Sequence, residues 1–504
     1  MPLSAPLATH ARQRPQALAV CVSGQSLTYQ ELVRQVSGLD RWAQVQPATP
    51  QPGVSLPPQG RLIATSLGNH PSAAVVLATG MATHHGVMVM DPSWPATQLA
   101  DMLTLPRPDV LVALSHQNRL IAQANTLGIP ICLADLALPE PCDFHPTTPD
   151  PQGTFLVGFT SGTTARPKAF ARNRHSWQAS LRAGKPVFDL DPSTHTLAPG
   201  PLSHGLTLYA FAETLDAGAS FYGLDHFDAF AASHLMHTQP VRRLVAVPSM
   251  IQTIATRGPF ADMTNVTTAG SKLDAHRLTE LRSAFPAATI HEYYGASELG
   301  FVSVAHHAQT GSSAPPHSVG HPFAHVDMRM MQDGSDVEPG QDGTIFVRGD
   351  LAIAGYLSGG RNSGFRRQGD WATVGDIGRQ NDDGSLTLLG REGGMVLSGG
   401  FNVYPQEVAA HLTNCPGVDS AVVLSQPDRA RGQVLAAVIL PAPDFKPQNL
   451  HNHIARHLPR YKTPRAFYTV AAWPRTQSGK IAQATLETWL TESDPRLAPL
   501  EPAR

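Results

Sequence analysis

Charge is scarce in this chain: 15% of its 504 residues are Asp, Glu, Lys or Arg, and the signs nearly cancel at a formal net charge of -2. That balance excludes the basic domain by which a nucleic-acid binder usually shows itself. Cysteine is scarcer. Cys21, Cys132, Cys142 and Cys415 form no CxxC pair, and a chain of this length does not depend on disulfide staples. They are expected as buried apolar fillers or free thiols in a reducing compartment. Long apolar runs are missing as well. The most apolar stretch, near Ala73 to Ala82, is far short of the ~18 residues a membrane span needs. Residues 1–25 lack the basic start and apolar run of a signal peptide, so the expected location is the cytoplasm. No metal-ligand spacing surrounds His84-His85, which are expected at the surface.

What is present is a sequence able to build large cores, at 42% hydrophobic residues. Its length suggests two to four folding units at roughly 100–200 residues each. Thr28-x-x-Glu31 is a capping box, and Leu32, Val36, Leu39 and Ala43 follow at helical spacing. A short strand is expected at Leu62 to Thr65, a helix opened by Pro71, a strand at Val87 to Met90, a helix after Pro95 and a strand at Val110 to Leu114. This alternation predicts an α/β fold with parallel pairing. It resumes with strands at Phe155 to Phe159 and Leu244 to Val247. After residue 390 the texture changes. Short strands at Met395 to Ser398, Val418 to Leu424 and Val434 to Leu440 alternate with helices near Pro405 to Leu412 and Leu450 to Leu458, predicting a small, separate α/β or α+β domain. The Pro-rich last ten residues are expected to be frayed.

Four short stretches carry chemistry. Thr160-Ser161-Gly162-Thr163-Thr164-Ala165-Arg166-Pro167-Lys168 follows a strand directly. Hydroxyls, a glycine and a lysine in a short loop suit polyphosphate, whose oxygens backbone N–H groups can surround; it is not the GxxxxGK[ST] loop. Tyr293-Tyr294-Gly295-Ala296-Ser297-Glu298 joins an aromatic that could stack on a base to a carboxylate suited to Mg²⁺. Gly375-Asp376 with Gly390-Arg391 offers an acceptor for ribose hydroxyls. Thr476-Gln477-Ser478-Gly479-Lys480-Ile481 presents a lysine on a Ser-Gly turn. Each alone reads equally as an ordinary surface turn or strand end.

Together, in this order, they resemble the acyl-adenylate-forming superfamily, which groups acyl-CoA synthetases, adenylation domains of non-ribosomal peptide synthetases and firefly-type luciferases. The resemblance runs from about Leu27 to Lys480 and is closest to acyl-CoA synthetases. It also takes in Asp91-Pro92-Ser93-Trp94-Pro95, Pro201-Leu202-Ser203-His204, Gly343 to Gly349 with Gly355-Tyr356, and Ser398-Gly399-Gly400-Phe401-Asn402-Val403-Tyr404-Pro405. It implies an α/β fold with a large N-terminal adenylate-forming domain of α/β subdomains, residues 1–391, and a small mobile α+β C-terminal domain, residues 392–504. It implies ATP and Mg²⁺, with Thr160, Ser161, Gly162, Thr163, Thr164 and Lys168 at the phosphates and Glu298 on the metal. Tyr294 would stack on adenine, with Gly270, Ser271 and Lys272 along its other face and Ser297 beside Glu298. Asp376 would bind ribose, Arg391 would precede the hinge at Gly393, and Lys480 would bridge the attacking carboxylate and the α-phosphate. Two departures stand out. Ala165 and Ala169 replace usual glycines, which predicts a stiffer loop, and Gly393-Gly394 stands where many relatives have acidic residues.

The acid is argued from Gly205-Leu206-Thr207-Leu208-Tyr209-Ala210-Phe211-Ala212. This segment has no carboxylate to partner an α-ammonium, and an unpaired buried ammonium is very unfavourable, so an amino acid is not expected. A medium- or long-chain fatty acid is the favoured reading, with His204 gating the acyl pocket beside Gly205, and an aryl acid is the alternative. Only 24 residues follow Lys480, too few for a carrier domain, so the thiol is expected from another molecule. Gly399 and Gly400 would line a pantetheine tunnel for CoA. A separate acyl carrier protein is the alternative acceptor, and a non-catalytic nucleotide-binding homologue is the reading from another class. No nucleic acid and no membrane span are expected.

Overall fold

The computed structural model describes all residues except 1–3, 105, 161–166, 271, 274, 309–317, 359–363, 393, 395, 399–400, 429–431, 459–461, 477–478 and 501–504. The capping box forms as its spacing demands. Thr28 Oγ1 accepts from the Glu31 amide, and the Thr28 amide donates to Glu31 Oε2 at 2.8 Å. The helix runs Tyr29–Gln44 with Leu32, Val36, Leu39 and Ala43 buried; loss of such a cap costs about 1 kcal/mol.

Strands Leu62–Thr65, Gly86–Val89 and Val110–Ala113 are buried at every residue and pair in parallel. Burial on both faces explains their unbroken apolar composition. Their sheet continues on one side through Thr154–Thr160 and Lys168–Asn173 to Tyr356–Ser358, and on the other ends at Ile131–Leu133. Pairing turns antiparallel between Thr154–Thr160 and Lys168–Asn173, where Thr160 faces Lys168. The two strands that flank the hydroxyl-rich stretch thus form an antiparallel hairpin pair.

A second sheet holds Arg243–Val245, Asn265–Ala269 and Thr289–Ala296 in parallel, then Gly300–His307 antiparallel. Helices Pro71–Ala82 and Gly205–Ala217, buried along nearly their whole length, belong to a core that also takes in residues of both sheets, such as Ile63, Val87, Val245 and Phe301. A third, antiparallel sheet gathers strands between Asp327 and Arg391.

Residues from Val396 onward form cores of their own. In the long antiparallel pair Val418–Asp428 and Gly432–Pro441, Val423, Leu435, Ala437 and Ile439 join the helices Pro405–Thr413 and Pro447–His457 on one face. Val422, Leu424, Ala436 and Val438 join Leu486 and Trp489 of helix Gln483–Glu492 on the other. The two-residue period of a strand thus gives this sheet two apolar faces and helices on both. The fold is α/β with a large N-terminal part and a smaller C-terminal one.

Two expectations are corrected. The tail through Leu500 is not frayed: Ala498–Pro499 pairs with Tyr468 and Thr469, and Leu497 is buried. His85 is not at the surface. It is fully buried, its Nδ1 accepts the Arg61 amide at 2.9 Å, and its Nε2 lies 3.0 Å from Asp40. Among the described residues, no helix is long and apolar enough to cross a membrane.

Candidate active site

Ligands of open α/β sheets bind beyond the carboxyl ends of parallel strands, and the candidate residues gather there. At the base of the hairpin, Lys168 is 7% exposed, and its Nζ lies 5.9 Å from the centroid of the Tyr356 ring. Thr160 Oγ1 is 3.5 Å from Tyr356 Oη, which donates to Glu298 Oε1. Thr160, Lys168 and Glu298 are thus brought together around one phenol. Ser161, Gly162, Thr163, Thr164 and Ala165 lie outside the described residues. Ala169 is fully buried and faces Phe159 within the hairpin.

Glu298 sits in the tight turn between Thr289–Ala296 and Gly300–His307, with exposed Ser297 before it. The turn closes because Gly295 carries no side chain: a Cβ there would stand 2.4 Å from the Gly300 carbonyl oxygen. Four residues before Glu298, Tyr294 Oη donates to Asp376 Oδ2 at 2.6 Å. Asp376 Oδ1 accepts from Arg391 Nε, also at 2.6 Å, because Asp376 and Arg391 are cross-strand partners. Burial, and then the Asp376 charge, hold the Tyr294 phenol well above its ordinary pKa, so it stays a donor. A carboxylate has about four acceptor positions, so Asp376 can still accept ribose hydroxyls.

Gly270 ends strand Asn265–Ala269 with φ of +96°, a conformation only glycine adopts freely. A Cβ there would stand 3.1 Å from Lys480 Cε and 3.6 Å from Nζ. Lys480 therefore reaches from the C-terminal part onto the Gly270 turn. Ser249 Oγ, of the N-terminal part, donates to the Gly479 carbonyl oxygen at 3.1 Å. Lys480 keeps solvent access, yet surrounding protein, and then the Arg391 charge, lower its pKa from the ordinary lysine value. Ser271, Gly393, Gly399 and Gly400 lie outside the described residues.

His204 is the N-cap residue of helix Gly205–Ala217, with no capping hydrogen bond from its side chain, and its Nε2 lies 2.8 Å from Asp91 Oδ2. A Cβ on Gly205 would meet nothing within 4 Å. The apolar run behind it is less open than its composition suggests, since Leu208, Tyr209, Ala210, Phe211 and Ala212 all pack in the core. Glu213, one residue further on, is buried, and its Oε2 is paired with Arg243 at 2.9 Å.

Four residues of the site escaped sequence reasoning. Asp91 and Tyr356 occurred in matching stretches without a role. Glu292 and His307 gave no signal. Buried Glu292 accepts from Lys272 Nζ at 2.6 Å and the Leu273 amide at 2.7 Å, and lies 3.1 Å from His307 Nε2. It ties the Gly270 turn to the strand bearing Tyr294.

Oxygen donors at Glu298 and Thr160 suit a hard cation. Among the described residues no set of three or more acidic, His or Cys side chains could hold a metal alone.

A family model described as AMP-binding enzyme matches residues 7–357, and one described as AMP-binding enzyme C-terminal domain matches residues 407–480. The chain belongs to the AMP-binding enzyme family. It is 30% identical over 487 residues to the uncharacterized acyl–CoA ligase YhfT of Bacillus subtilis, covering 96% of this chain and 97% of that protein. It is also 30% identical over 339 residues to VraA of Staphylococcus epidermidis, whose name provisionally assigns it to long chain fatty acid–CoA ligases; the match covers 67% of this chain and 72% of VraA. The ATP-bound structure of MatB from Rhodopseudomonas palustris aligns with a TM-score of 0.84 at 21% identity, over 97% of this chain and 99% of that one, a likeness of fold.

Proposed function

We propose that the chain activates a carboxylic acid with ATP as an acyl-AMP, releasing pyrophosphate, and then passes the acyl group to the thiol of CoA. The observation that carries this reading is the convergence of Thr160, Lys168 and Glu298 with the Tyr294–Asp376–Arg391 chain and with Lys480 on the Gly270 turn. The reacting partners are both anions, and their approach needs fixed positive charge where charge gathers in the transition state. Lys480 would bridge the carboxylate and the α-phosphate. Lys168, Thr160 and the loop 161–164 would hold the outer phosphates. Asp376 would accept from ribose, and Tyr294 and Gly270 would enclose adenine with Ser271 and Ser297. Glu298 would hold Mg²⁺, whose positive charge would offset the negative charge of the leaving pyrophosphate. Nucleotidyl transfer depends mainly on positioning and charge, so no general base is required.

The acid is read as a medium- or long-chain fatty acid, supported by the name of VraA and by the lack of a carboxylate in residues 205–212; His204, held by Asp91, would gate the acyl pocket at Gly205. The dense packing of helix Gly205–Ala217 favours the second reading, an aryl or shorter acid. CoA would enter past Gly399 and Gly400, and a separate acyl carrier protein is the alternative acceptor. The domain boundary is placed between 391 and 392, with Gly393 as the pivot that withdraws Lys480 before the thiol arrives. A location in the cytoplasm completes the reading. A panel of carboxylic acids, scored by pyrophosphate release and then by thioester formation with free CoA, tests it. Release with no acid in the panel would overturn it, and adenylation without thioester would move the acceptor to a carrier protein.

A further inference from the structure

We infer that Tyr356 is a positioning residue for Glu298 and sets how readily the site takes up Mg²⁺ with ATP; the inference rests on the reading of Glu298 as the metal-binding carboxylate. Tyr356 opens strand Tyr356–Ser358, whose register places it opposite Phe170 on the strand that carries Lys168. Its phenol therefore stands at the base of the phosphate hairpin, beside Lys168 Nζ and 3.5 Å from Thr160 Oγ1. Glu298 comes from a turn of the other large sheet. Two contacts from one short segment hold it: the Ile353 amide donates to the Glu298 carbonyl oxygen at 2.8 Å, and Tyr356 Oη donates to Glu298 Oε1. Segment 353–356 thus fixes both backbone and carboxylate of Glu298 relative to the hairpin.

That distance matters for the chemistry of the ion. Mg²⁺ demands near-octahedral geometry and is bound through one or two carboxylates plus substrate phosphates. A carboxylate already held at the right separation from the phosphate loop loses less rotamer freedom when the ion arrives. A phenol on Oε1 leaves Oε2 and the remaining lone pairs for the cation.

Tyr356→Phe keeps the ring beside Lys168 and removes the donor. The experiment is calorimetric titration of ATP into the full chain across a range of Mg²⁺ concentrations, without acid or CoA, for wild type, Tyr356→Phe, Glu298→Gln and the double variant. Loss of this positioning hydrogen bond should raise the half-saturating Mg²⁺ about threefold, no more than Glu298→Gln does, with metal-free ATP affinity within about twofold of wild type. Because Tyr356 acts through Glu298, the double variant should shift no further than Glu298→Gln alone. An unchanged Mg²⁺ requirement in Tyr356→Phe beside a raised one in Glu298→Gln overturns the inference and leaves the proposed function standing, as does strict additivity. An unchanged requirement in Glu298→Gln overturns the assignment of Glu298 itself.

Discussion

The residues proposed to take the nucleotide and those proposed to take the acid are built on different physics. On the nucleotide side, polar groups are chained before any ligand arrives: Tyr294 to Asp376 to Arg391, Tyr356 to Glu298, Glu292 to the Gly270 turn. On the acid side, the His204–Asp91 pair stands before a helix whose side chains are packed into the core. Phosphates and ribose can be recognised only by donors and acceptors fixed in place, and fixed donors leave recognisable residue types behind. An acyl chain is recognised by shape, and shape is spread over many interchangeable apolar residues.

The sharpest way to break this contrast is at Lys480. Lys480→Ala should slow adenylation by about 10²–10³ and spare thioester formation from pre-made acyl-AMP, as separate single-turnover assays would show; equal damage to both steps would contradict its assignment. The lowered pKa adds a sign. The charged form is the useful one, so adenylation should fall on the alkaline side at a pH below that of an ordinary lysine. The same shift makes the folded chain bind fewer protons than the unfolded one between the two pKa values, so this group opposes folding below the lowered pKa, and the opposition is relieved as pH rises from the lowered pKa through the ordinary lysine value.

Next comes the buried carboxylate. Asp376→Ala leaves the Tyr294 hydroxyl and the Arg391 guanidinium without their shared acceptor. Hydrogen bonds to charged groups are worth about 1.5–3 kcal/mol, so KM for ATP should rise roughly ten- to a hundredfold, with KM for the acid little changed. A smaller effect is expected from Glu298→Gln, a poorer ligand for a hard cation: a several-fold higher Mg²⁺ requirement for pyrophosphate release, read by metal titration. The smallest belongs to the acid side. His204→Ala removes one partly exposed polar pair, so KM for the acid should rise within about tenfold, with KM for ATP unmoved. A larger effect on ATP than on acid would erase the division between the two sides.

Legibility in the sequence followed the same division. The capping box at Thr28, strand Leu62–Thr65 and the helix begun by Pro71 lie where local spacing places them, because those signals involve residues adjacent in the chain. Thr160, Lys168, Glu298, Tyr294, Asp376 and Lys480 stood out as motifs because phosphate and ribose chemistry tolerates few residue types. Pairings across the fold were invisible. Asp91 and His204 are 113 residues apart, and Tyr356–Glu298 joins two sheets, so no periodicity connects them. The antiparallel strands after Asp327 are short and partly exposed, with Arg366–Gln368 exposed throughout, so they lack the alternation that marks a strand. His85 looked like surface for a related reason: a histidine in a short turn between two elements carries no mark of the backbone amide its ring will accept.

The central claim, that this cleft joins an acid to AMP before any thiol is involved, is tested most directly by acid-dependent exchange of labelled pyrophosphate into ATP with CoA absent. The account predicts exchange that requires both Mg²⁺ and a carboxylic acid and collapses in Lys480→Ala. Consumption of ATP to ADP and phosphate, or exchange that needs CoA to begin, would contradict it.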